Sequence, residues 1–286
     1  MTNEIPPLNV AQLLRQYGLP PLKRLGQNFL VDPAALQKVV RAAEISPDDA
    51  VLEVGAGLGS LTRYLALQAK IVVAVELDAR LFPILTSLLS PYPNVRLVEG
   101  DILQLDPGKL MEQQGYLVVA NIPYYITSAL IRHLLEAQVL PKRLVLTIQR
   151  EVAWRICAQP GEMSLLALSV QVYGSAHIVG EIPAGAFYPM PKVDSAILRI
   201  DLYPQPRLPP PLLPTFFHLA KGGFSHKRKT LRNALAASLG MKPTMLDEML
   251  TAAEINPQRR AESLSLEEWQ RLCQIYRQWN EEVNPR

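Results

Sequence analysis

The sequence contains few of the residues that define disulfide-rich and metal-binding proteins. Its 286 residues include only two cysteines, Cys157 and Cys273, which lie far apart in the chain, and four scattered histidines. A disulfide framework or a structural zinc site needs more of these residues at closer spacing. We therefore expect reduced thiols in a cytosolic protein that binds no metal.

Long apolar runs are also missing. No run approaches the roughly 20 residues that a membrane-spanning helix needs, and residues 1–8 lack the basic-then-apolar pattern of a signal peptide. Hydrophobic residues nevertheless make up 49% of the chain, which is typical of a globular protein. We expect a cytoplasmic monomer with one large or two smaller domains and no membrane association.

Positive charge is in small excess overall, at +3, but it is unevenly distributed. Residues 207–286 carry 12 Lys and Arg against 8 Asp and Glu. Five of these cations fall within an acid-free stretch of twelve residues, namely Lys221, Lys227, Arg228, Lys229 and Arg232. Such a run is often only a solvated helix face. If the chain also holds a site for a nucleic-acid base, phosphate binding becomes the favoured interpretation.

Alternating strand and helix patterns from residue 32 to about residue 156 predict a doubly wound, mostly parallel α/β sheet. Asp32-Pro33 has the pattern of a helix N-cap followed by proline at the first helical position, and Thr127 or Ser128 could cap a later helix. The apolar runs 166–173 and 196–202 have strand character and are expected to complete the sheet.

The second half of the chain is different in pattern. Six prolines between residues 204 and 214 indicate a linker, and the pattern beyond them is helical, at 215–221, 226–239, 244–253 and 266–280. We therefore predict three parts. These are a loosely held arm (1–22), an α/β domain (23–205) and a smaller all-helical domain (206–286).

Glycines or polar residues follow four of the predicted strands. The first strand runs from Val51 to Val54 and enters the loop Gly55-Ala56-Gly57-Leu58-Gly59. The next three end in Glu76, in Gly100-Asp101 and in Asn121-Ile122-Pro123-Tyr124. Ligands of open α/β sheets bind outside the carboxyl ends of the strands. The loop alone is a weak signal, because its third glycine comes one residue earlier than in dinucleotide-binding loops.

These residue types suit an adenine nucleoside. A carboxylate about 20 residues beyond the glycines, here Glu76, is placed to accept from ribose hydroxyls. Asp101 can accept from an adenine amino group, and apolar Leu77 and Ile102 can flank the ring. Each acid alone is more often a solvated loop residue or a helix cap.

The four residues Asn121-Ile122-Pro123-Tyr124, which we call the Asn121 tetrad, have the features of a second small site, for a planar group that carries an amino group. Asn121 can point its amide oxygen into the crevice, and Tyr124 offers a flat face. Pro123 stiffens the turn and restricts Ile122 to extended conformations. The alternative interpretation is a polar turn that ends a strand.

From about Leu22 to Leu272 the chain resembles a known family, the S-adenosylmethionine-dependent adenine N6,N6-dimethyltransferases of small-subunit (16S) ribosomal RNA. Besides the strand-end residues above, three further segments carry the resemblance. They are Leu25-Gly26-Gln27-Asn28-Phe29-Leu30, the segment from Phe187 to Ser195 that includes Pro189 and Pro191, and the segment from Phe224 to Asn233. The resemblance implies a Rossmann-like class I methyltransferase domain that is followed in the chain by a helical RNA-binding domain.

The resemblance also implies roles for single residues. Asn28, Leu30 and Gly55 would line the methionine end of the cofactor, with Gly57 in the same loop and Glu53 supporting it. The Asn121 side chain and the Ile122 carbonyl would accept from adenine N6, and Tyr124 and Phe187 would hold the two faces of the base. For Phe187, simple core packing is the alternative.

Two other functions remain open at this point. One is methylation of large-subunit RNA by the related antibiotic-resistance enzymes, although the long C-terminal helical region favours the small-subunit group. The other is a ribosome-assembly or transcription factor that keeps the fold as a binding module. The intact tetrad and glycine loop favour an enzyme.

Overall fold

The computed structural model describes residues 5–283. Residues 1–4 of the predicted arm and 284–286 at the carboxyl terminus lie outside this range. The described helices are α1 (Val10–Gln16), α2 (Pro33–Ala43), α3 (Ser60–Ala66), α4 (Phe82–Leu89), α5 (Pro107–Met111), α6 (Thr127–Leu135), α7 (Arg150–Ile156), α8 (Leu165–Gln171), α9 (Leu213–Phe224), α10 (Leu231–Leu239), α11 (Pro243–Ala252) and α12 (Leu266–Val283). The described strands are β1 (Phe29–Leu30), β2 (Ala50–Val54), β3 (Ile71–Glu76), β4 (Val95–Glu99), β5 (Leu117–Asn121), β6 (Arg143–Gln149), β7 (Gly174–Ile182), β8 (Phe187–Tyr188) and β9 (Ser195–Leu202).

Seven of the strands form one mixed, mostly parallel sheet in the order β4-β3-β2-β5-β6-β9-β7. Strands β2 to β6 pair in parallel, and β9 runs antiparallel to β6. From β2 the chain builds outward to β4 and then returns to the other side of β2 with β5. This reversal of strand order opens a crevice at the carboxyl ends, where ligands of such sheets bind.

One face of the sheet is covered by helices α2 and α3. Alternate strand residues, such as Val51 of β2 and Leu117 of β5, pack with Leu36 and Val39 of α2 in a single apolar cluster. Helix α2 begins as predicted, because the Asp32 side chain accepts a hydrogen bond from the Ala35 N–H at 2.9 Å and Pro33 follows it. The fold class predicted from the alternating pattern is confirmed.

The described part of the N-terminal arm is not loosely held, contrary to the prediction. Val10 and Leu14 of α1 are buried in a cluster with Phe29 and Leu58. Arg63 Nη1 also donates to the Pro6 carbonyl at 3.0 Å. The spacing of the apolar residues in this segment therefore marks a packed amphipathic helix.

The chain divides into two compact units whose boundaries differ from the predicted ones. The first unit comprises the described residues up to Ala153 and Ser175–Leu202, and the second comprises Trp154–Gly174 and the described residues from Tyr203 onward. Residues 154–174, which the sequence analysis placed in the α/β domain, thus belong with the C-terminal helices. Their Met163, Leu168 and Val172 share an apolar cluster with Trp269 of α12.

The prediction of a strand at 166–173 is wrong, because this segment forms helix α8. Ser164 caps the helix by accepting from the Ala167 N–H at 3.1 Å. A short apolar run does not by itself distinguish a buried helix from a buried strand. The sheet is completed instead by β9, which contains the predicted strand 196–202, and by β7.

Two predicted helix starts also need correction. Helix α10 begins at Leu231 rather than at His226, because the Thr230 hydroxyl caps it and the preceding residues form a turn. Helix α6 begins at Thr127 without a side-chain cap. The Thr127 hydroxyl instead donates to the Tyr124 carbonyl at 3.1 Å.

Two further expectations concern cysteines and membranes. Both cysteines are free thiols; Cys273 is buried and Cys157 is half-buried. Among the helices of residues 5–283, none combines the length and the apolar character needed to cross a membrane.

Candidate active site

A cavity lies at the carboxyl ends of β2, β3, β4 and β5, entirely within the first unit. Most of the residues that the sequence singled out line it, namely Asn28, Gly55, Gly57, Glu76, Leu77, Asp101, Ile102, Asn121, Ile122, Pro123, Tyr124 and Phe187. They come from separate strands and meet because parallel strands present their carboxyl ends at one edge of the sheet.

Glu76 is fixed at the base of this cavity by two backbone hydrogen bonds. Its Oε2 accepts from the Gly57 N–H at 2.7 Å and its Oε1 from the Asp78 N–H at 2.8 Å. Burial raises the pKa of this carboxyl above its ordinary value, although the two backbone donors act in the opposite direction. Each carboxylate oxygen has a second lone pair, so Glu76 can still accept from hydroxyl groups in the cavity.

The glycine loop approaches this carboxylate closely because it lacks side chains. Gly57 has φ +60°, and a Cβ atom there would lie 2.9 Å from the Phe29 ring. Any larger residue would displace either the ring or the loop. Gly55, at φ +77°, also has the left-handed conformation that favours glycine.

Glu53 and Leu30 do not reach the cavity wall. Leu30 is buried in the core beside α2, and Glu53 of β2 is 1% exposed. Burial, with a further contribution from the negative Glu76, raises the pKa of Glu53 to about 8. Its Oε2 has no hydrogen-bond partner within residues 5–283. Burial thus favours the neutral form of Glu53, which lies behind the loop.

Asp101 and its neighbours form the wall next to Glu76. Asp101 Oδ1 accepts from the Leu103 N–H at 3.0 Å, which fixes the carboxylate in the turn after β4. Ile102 is buried, whereas Leu77 is largely exposed. An acceptor flanked by two apolar side chains is the arrangement expected for the edge and faces of a purine.

Asn121 has a defined orientation at the end of β5. Its Nδ2 donates to the Asn28 carbonyl at 3.0 Å, and the Asn28 side chain in turn donates to the Gly26 carbonyl at 3.1 Å. Because the amide nitrogen of Asn121 takes this bond, Oδ1 is the atom left to accept from a ligand.

Two aromatic rings of the cavity wall differ in how they are held. The Tyr124 hydroxyl lies 2.8 Å from Ser195 Oγ, and burial raises the pKa of this phenol. Phe187 is 4% exposed, pairs with Leu30 between β1 and β8, and belongs to the main apolar cluster. Phe187 therefore lines the cavity and also fills the core, so both interpretations of the sequence apply to it.

Several wall residues were given no role from the sequence, among them Gln27, Phe29 and Tyr125. Gln27 and Phe29 flank Asn28, and Tyr125 follows the tetrad as a 61% exposed ring. Gln27 and Phe29 lie within the segment 25–30, so their neighbour Asn28 was a usable signal. Nothing in the local pattern distinguishes Tyr125 from an ordinary surface tyrosine.

A second cleft lies within the second unit, beside the turn between α9 and α10. We call His226-Lys227-Arg228-Lys229 of this turn the basic loop; all four residues are exposed. Lys221, Lys227 and Lys229 line the cleft together with Arg155 and Arg260, and Glu162 and Glu262 are also present. Arg232 is engaged elsewhere, since its Nε lies 2.9 Å from Asp247 Oδ1.

Residues 22–278 match the model of one protein family, described as ribosomal RNA adenine dimethylase. The chain belongs to this family. A curated relative, ribosomal RNA small subunit methyltransferase A of Dehalococcoides mccartyi strain CBDB1, is 46% identical over 267 residues. That match covers 93% of this chain and 91% of the relative. The protein of the same name from Bacillus pumilus strain SAFR-032 is 39% identical, with 94% and 96% covered.

Solved structures of related enzymes have the same fold as this dimethylase-family chain. A dimethyladenosine transferase from Plasmodium falciparum superposes with a TM-score of 0.74 at 28% identity, covering 87% of this chain and 98% of that one. The 23S rRNA methyltransferase ErmE superposes with a TM-score of 0.70 at 29% identity, covering 87% and 99%. Both matches extend well beyond the length of the α/β unit.

Proposed function

We propose that this member of the dimethylase family transfers methyl groups from S-adenosylmethionine to N6 of adenines in small-subunit (16S) ribosomal RNA. The targets would be the two adjacent adenines in the hairpin near the 3′ end. One observation carries the proposal. The Asn121 tetrad lines the same cavity as Glu76 and Asp101, so an amine-accepting site and a nucleoside site share one space.

The residues present fit S-adenosylmethionine. Glu76 offers a fixed carboxylate for the ribose hydroxyls, and Asp101 offers an acceptor for the adenine amino group. Leu77 and Ile102 would flank the ring. Asn28 and Gly55 remain for the methionine end. When bound, S-adenosylmethionine supplies a methyl group that its positively charged sulfur already activates.

Leu30 and Glu53 keep a supporting role in this proposal. Leu30 anchors the segment that carries Asn28 in the apolar core, and Glu53 lies behind the glycine loop with an oxygen that has no partner among residues 5–283. A buried water molecule is one group that could join that oxygen to the loop.

Asn121 and Ile122 would make the amino nitrogen of the substrate a better nucleophile. The lone pair of adenine N6 is delocalised into the ring, so the nitrogen is a poor nucleophile until it becomes more tetrahedral. Asn121 Oδ1 and the Ile122 carbonyl would accept its two hydrogens and favour that geometry. Positioning and preorganised dipoles of this kind supply much of the rate enhancement in reactions that need no covalent intermediate.

The target base must leave its stack to enter the cavity. Tyr124, whose hydroxyl is tied to Ser195, would hold one face of the base, and Phe187 would hold the other. Pro123 fixes the turn between the acceptors and the Tyr124 ring, so the base would meet a preformed site.

The second unit would hold the RNA backbone. Lys221 lines one cleft with Lys227 and Lys229 of the exposed basic loop, and clustered cations bind phosphates with little regard to sequence. Arg232 has a smaller part in the proposal than the sequence suggested, because it faces Asp247. We accordingly assign methyl transfer to the first unit and RNA binding to the second.

The relatives favour small-subunit RNA over the large-subunit alternative. Proteins named for the small subunit reach 46% identity, whereas the 23S rRNA methyltransferase ErmE has 29%. A cofactor cavity with every strand-end residue in place also favours an enzyme over a binding module.

The test is to incubate the protein with labelled S-adenosylmethionine and under-methylated small subunits, and to map the label. We expect label on N6 of the two adjacent adenines of the 3′ hairpin. Label in large-subunit RNA would support the other enzyme class. Cofactor binding without any RNA label would contradict the proposed activity.

A further inference from the structure

Gln27 is the centre of a chain of hydrogen bonds beside the cavity. Its Oε1 accepts from the Leu22 N–H at 2.7 Å, and its Nε2 donates to Asp78 Oδ2 at 2.8 Å. Gln27 itself lines the cavity next to Asn28. The two ends of one amide therefore join the segment before β1 to the turn after β3.

The chain continues from Asp78 to the base of the cavity. The Asp78 N–H donates to Glu76 Oε1 at 2.8 Å, and the Gly57 N–H donates to Glu76 Oε2 at 2.7 Å. Asp78 is only 5% exposed. The position of the Glu76 carboxylate is thus coupled through Asp78 to Gln27.

The side chain at position 27 needs both a hydrogen-bond acceptor and a hydrogen-bond donor. The Leu22 N–H can only donate and the Asp78 carboxylate can only accept, so a side chain that bonds to both must accept at one end and donate at the other. Arg80 pairs with both oxygens of Asp78, at 2.8 Å from Nε and 2.7 Å from Nη2, and this contact lowers the pKa of Asp78. Gln27 therefore donates to a charged acceptor, which makes the hydrogen bond stronger than a neutral one.

Gln27 also affects the substrate side. The next residue is Asn28, whose carbonyl accepts from Asn121 Nδ2. One side chain thus holds a segment that contacts both halves of the cavity.

We infer that Gln27 is a positioning residue that holds Glu76 for the ribose hydroxyls of S-adenosylmethionine and Asn28 for Asn121. This inference rests on the proposed function, because it assigns the cavity to that cofactor. Leucine at position 27 keeps the volume but breaks both bonds, and glutamate keeps the acceptor but donates only when protonated.

The experiment compares the Gln27→Leu, Gln27→Glu and wild-type proteins. The dissociation constant of S-adenosylhomocysteine, a non-reactive product, is measured by calorimetry across the pH range in which all of them stay folded. Gln37→Glu serves as a matched control, because Gln37 is an exposed residue of α2. The affinity ratio of variant to wild type is taken at each pH, so that pH effects shared by all the proteins cancel.

We expect Gln27→Leu to weaken binding roughly tenfold, or about 1.4 kcal/mol, at every pH. Gln27→Glu should bind like wild type at low pH, where its protonated carboxyl can donate to Asp78. Its affinity ratio should fall as pH rises, because the ionised group would face the negative charge of Asp78, which already pairs with Arg80, beside the Glu76 carboxylate. In methyl transfer, the KM for the cofactor should rise more than kcat falls.

Three outcomes separate the possibilities. A pH-independent ratio near one for Gln27→Glu, with Gln27→Leu binding normally, overturns the inference and leaves the proposed function intact. Lower melting temperatures in both variants with unchanged cofactor affinity also overturn it, since Gln27 would then be only structural. If the wild-type protein binds no S-adenosylhomocysteine at any pH, the cofactor site itself is wrong.

Discussion

Replacing Glu76 by glutamine tests why a carboxylate stands at the end of β3. Both carboxylate oxygens accept from backbone N–H groups, those of Gly57 and Asp78. Glutamine has one acceptor oxygen and one donor nitrogen, so one of these N–H groups would face another donor. We therefore expect Glu76→Gln to weaken cofactor binding, although the shape of the side chain is conserved.

The size of the effect follows from the two ribose hydroxyls. A hydrogen bond to a charged group contributes about 1.5–3 kcal/mol, and a neutral one about 0.5–1.5 kcal/mol. Replacing the charged partner of both hydroxyls by a neutral side chain thus costs about 2 kcal/mol, which is roughly a 30-fold loss of cofactor affinity. Displacement of the glycine loop would add to this loss.

The stability of Glu76→Gln relative to wild type should depend on pH. Burial raises the pKa of Glu76, so the folded protein holds the proton more tightly than the unfolded chain does. The wild-type protein then loses stability as pH rises through the interval between the ordinary and the raised pKa. Glu76→Gln lacks this loss, so its melting temperature relative to wild type should increase across that interval.

Calorimetric titration with S-adenosylhomocysteine and thermal unfolding at several pH values measure both effects. Glu99→Gln is the matched control, because Glu99 ends the neighbouring strand β4 opposite Glu76 but is exposed. If Glu76→Gln binds the cofactor within about twofold of wild type, the assignment of Glu76 to the ribose hydroxyls is refuted, since the expected loss is roughly 30-fold.

Three further predictions concern the substrate side. Asn121→Ala should nearly abolish methyl transfer while leaving cofactor affinity, measured by calorimetry, close to wild type; transfer at the wild-type rate would exclude the role of its Oδ1. Phe187→Ala should lower the free energy of unfolding by about 3–5 kcal/mol. Phe187→Leu keeps the core filled but removes the ring. It should raise the activation free energy of turnover in the folded protein by roughly 1–3 kcal/mol, which is what stacking on a base contributes. Normal turnover would show that Phe187 only packs. Replacing the three cations of the basic loop by alanine should weaken small-subunit binding and reduce its log–log salt slope by roughly 0.7–0.9 per lost phosphate contact. Arg232→Ala should change that slope little, and parallel plots for loop variant and wild type would mean that the RNA is held elsewhere.

The sequence predicted the strand ends well because two strong signals coincide there. Buried parallel strands are continuous apolar runs, and the polar residues that interrupt them, such as Glu76 and Asn121, mark their ends. Since parallel strands share one edge, the sequence positions alone were enough to bring these residues to one cavity. The structure places them there.

The predictions failed where local sequence leaves two structures equally favourable. Residues 166–173 are apolar enough for either a strand or a helix. The Ser164 cap and the packing of this segment with Trp269 stabilise the helix. The partners of Gln27 and Arg232 depend on contacts between residues far apart in sequence. Asp78 lies 51 residues from Gln27 and has no local pattern that identifies it as a partner.

The interleaving of the two units has a consequence for folding during synthesis. Residues 154–174 leave the ribosome before the C-terminal helices that bury their apolar side chains. Strand β6 likewise precedes its partner β9 by some fifty residues. Because synthesis adds about 5–20 residues per second, the partners of these segments are made several seconds after the segments themselves. The first unit can close once residue 202 has been made, but residues 154–174 lack their packing partners until the C-terminal helices follow, so truncation after residue 205 would leave Met163, Leu168 and Val172 exposed.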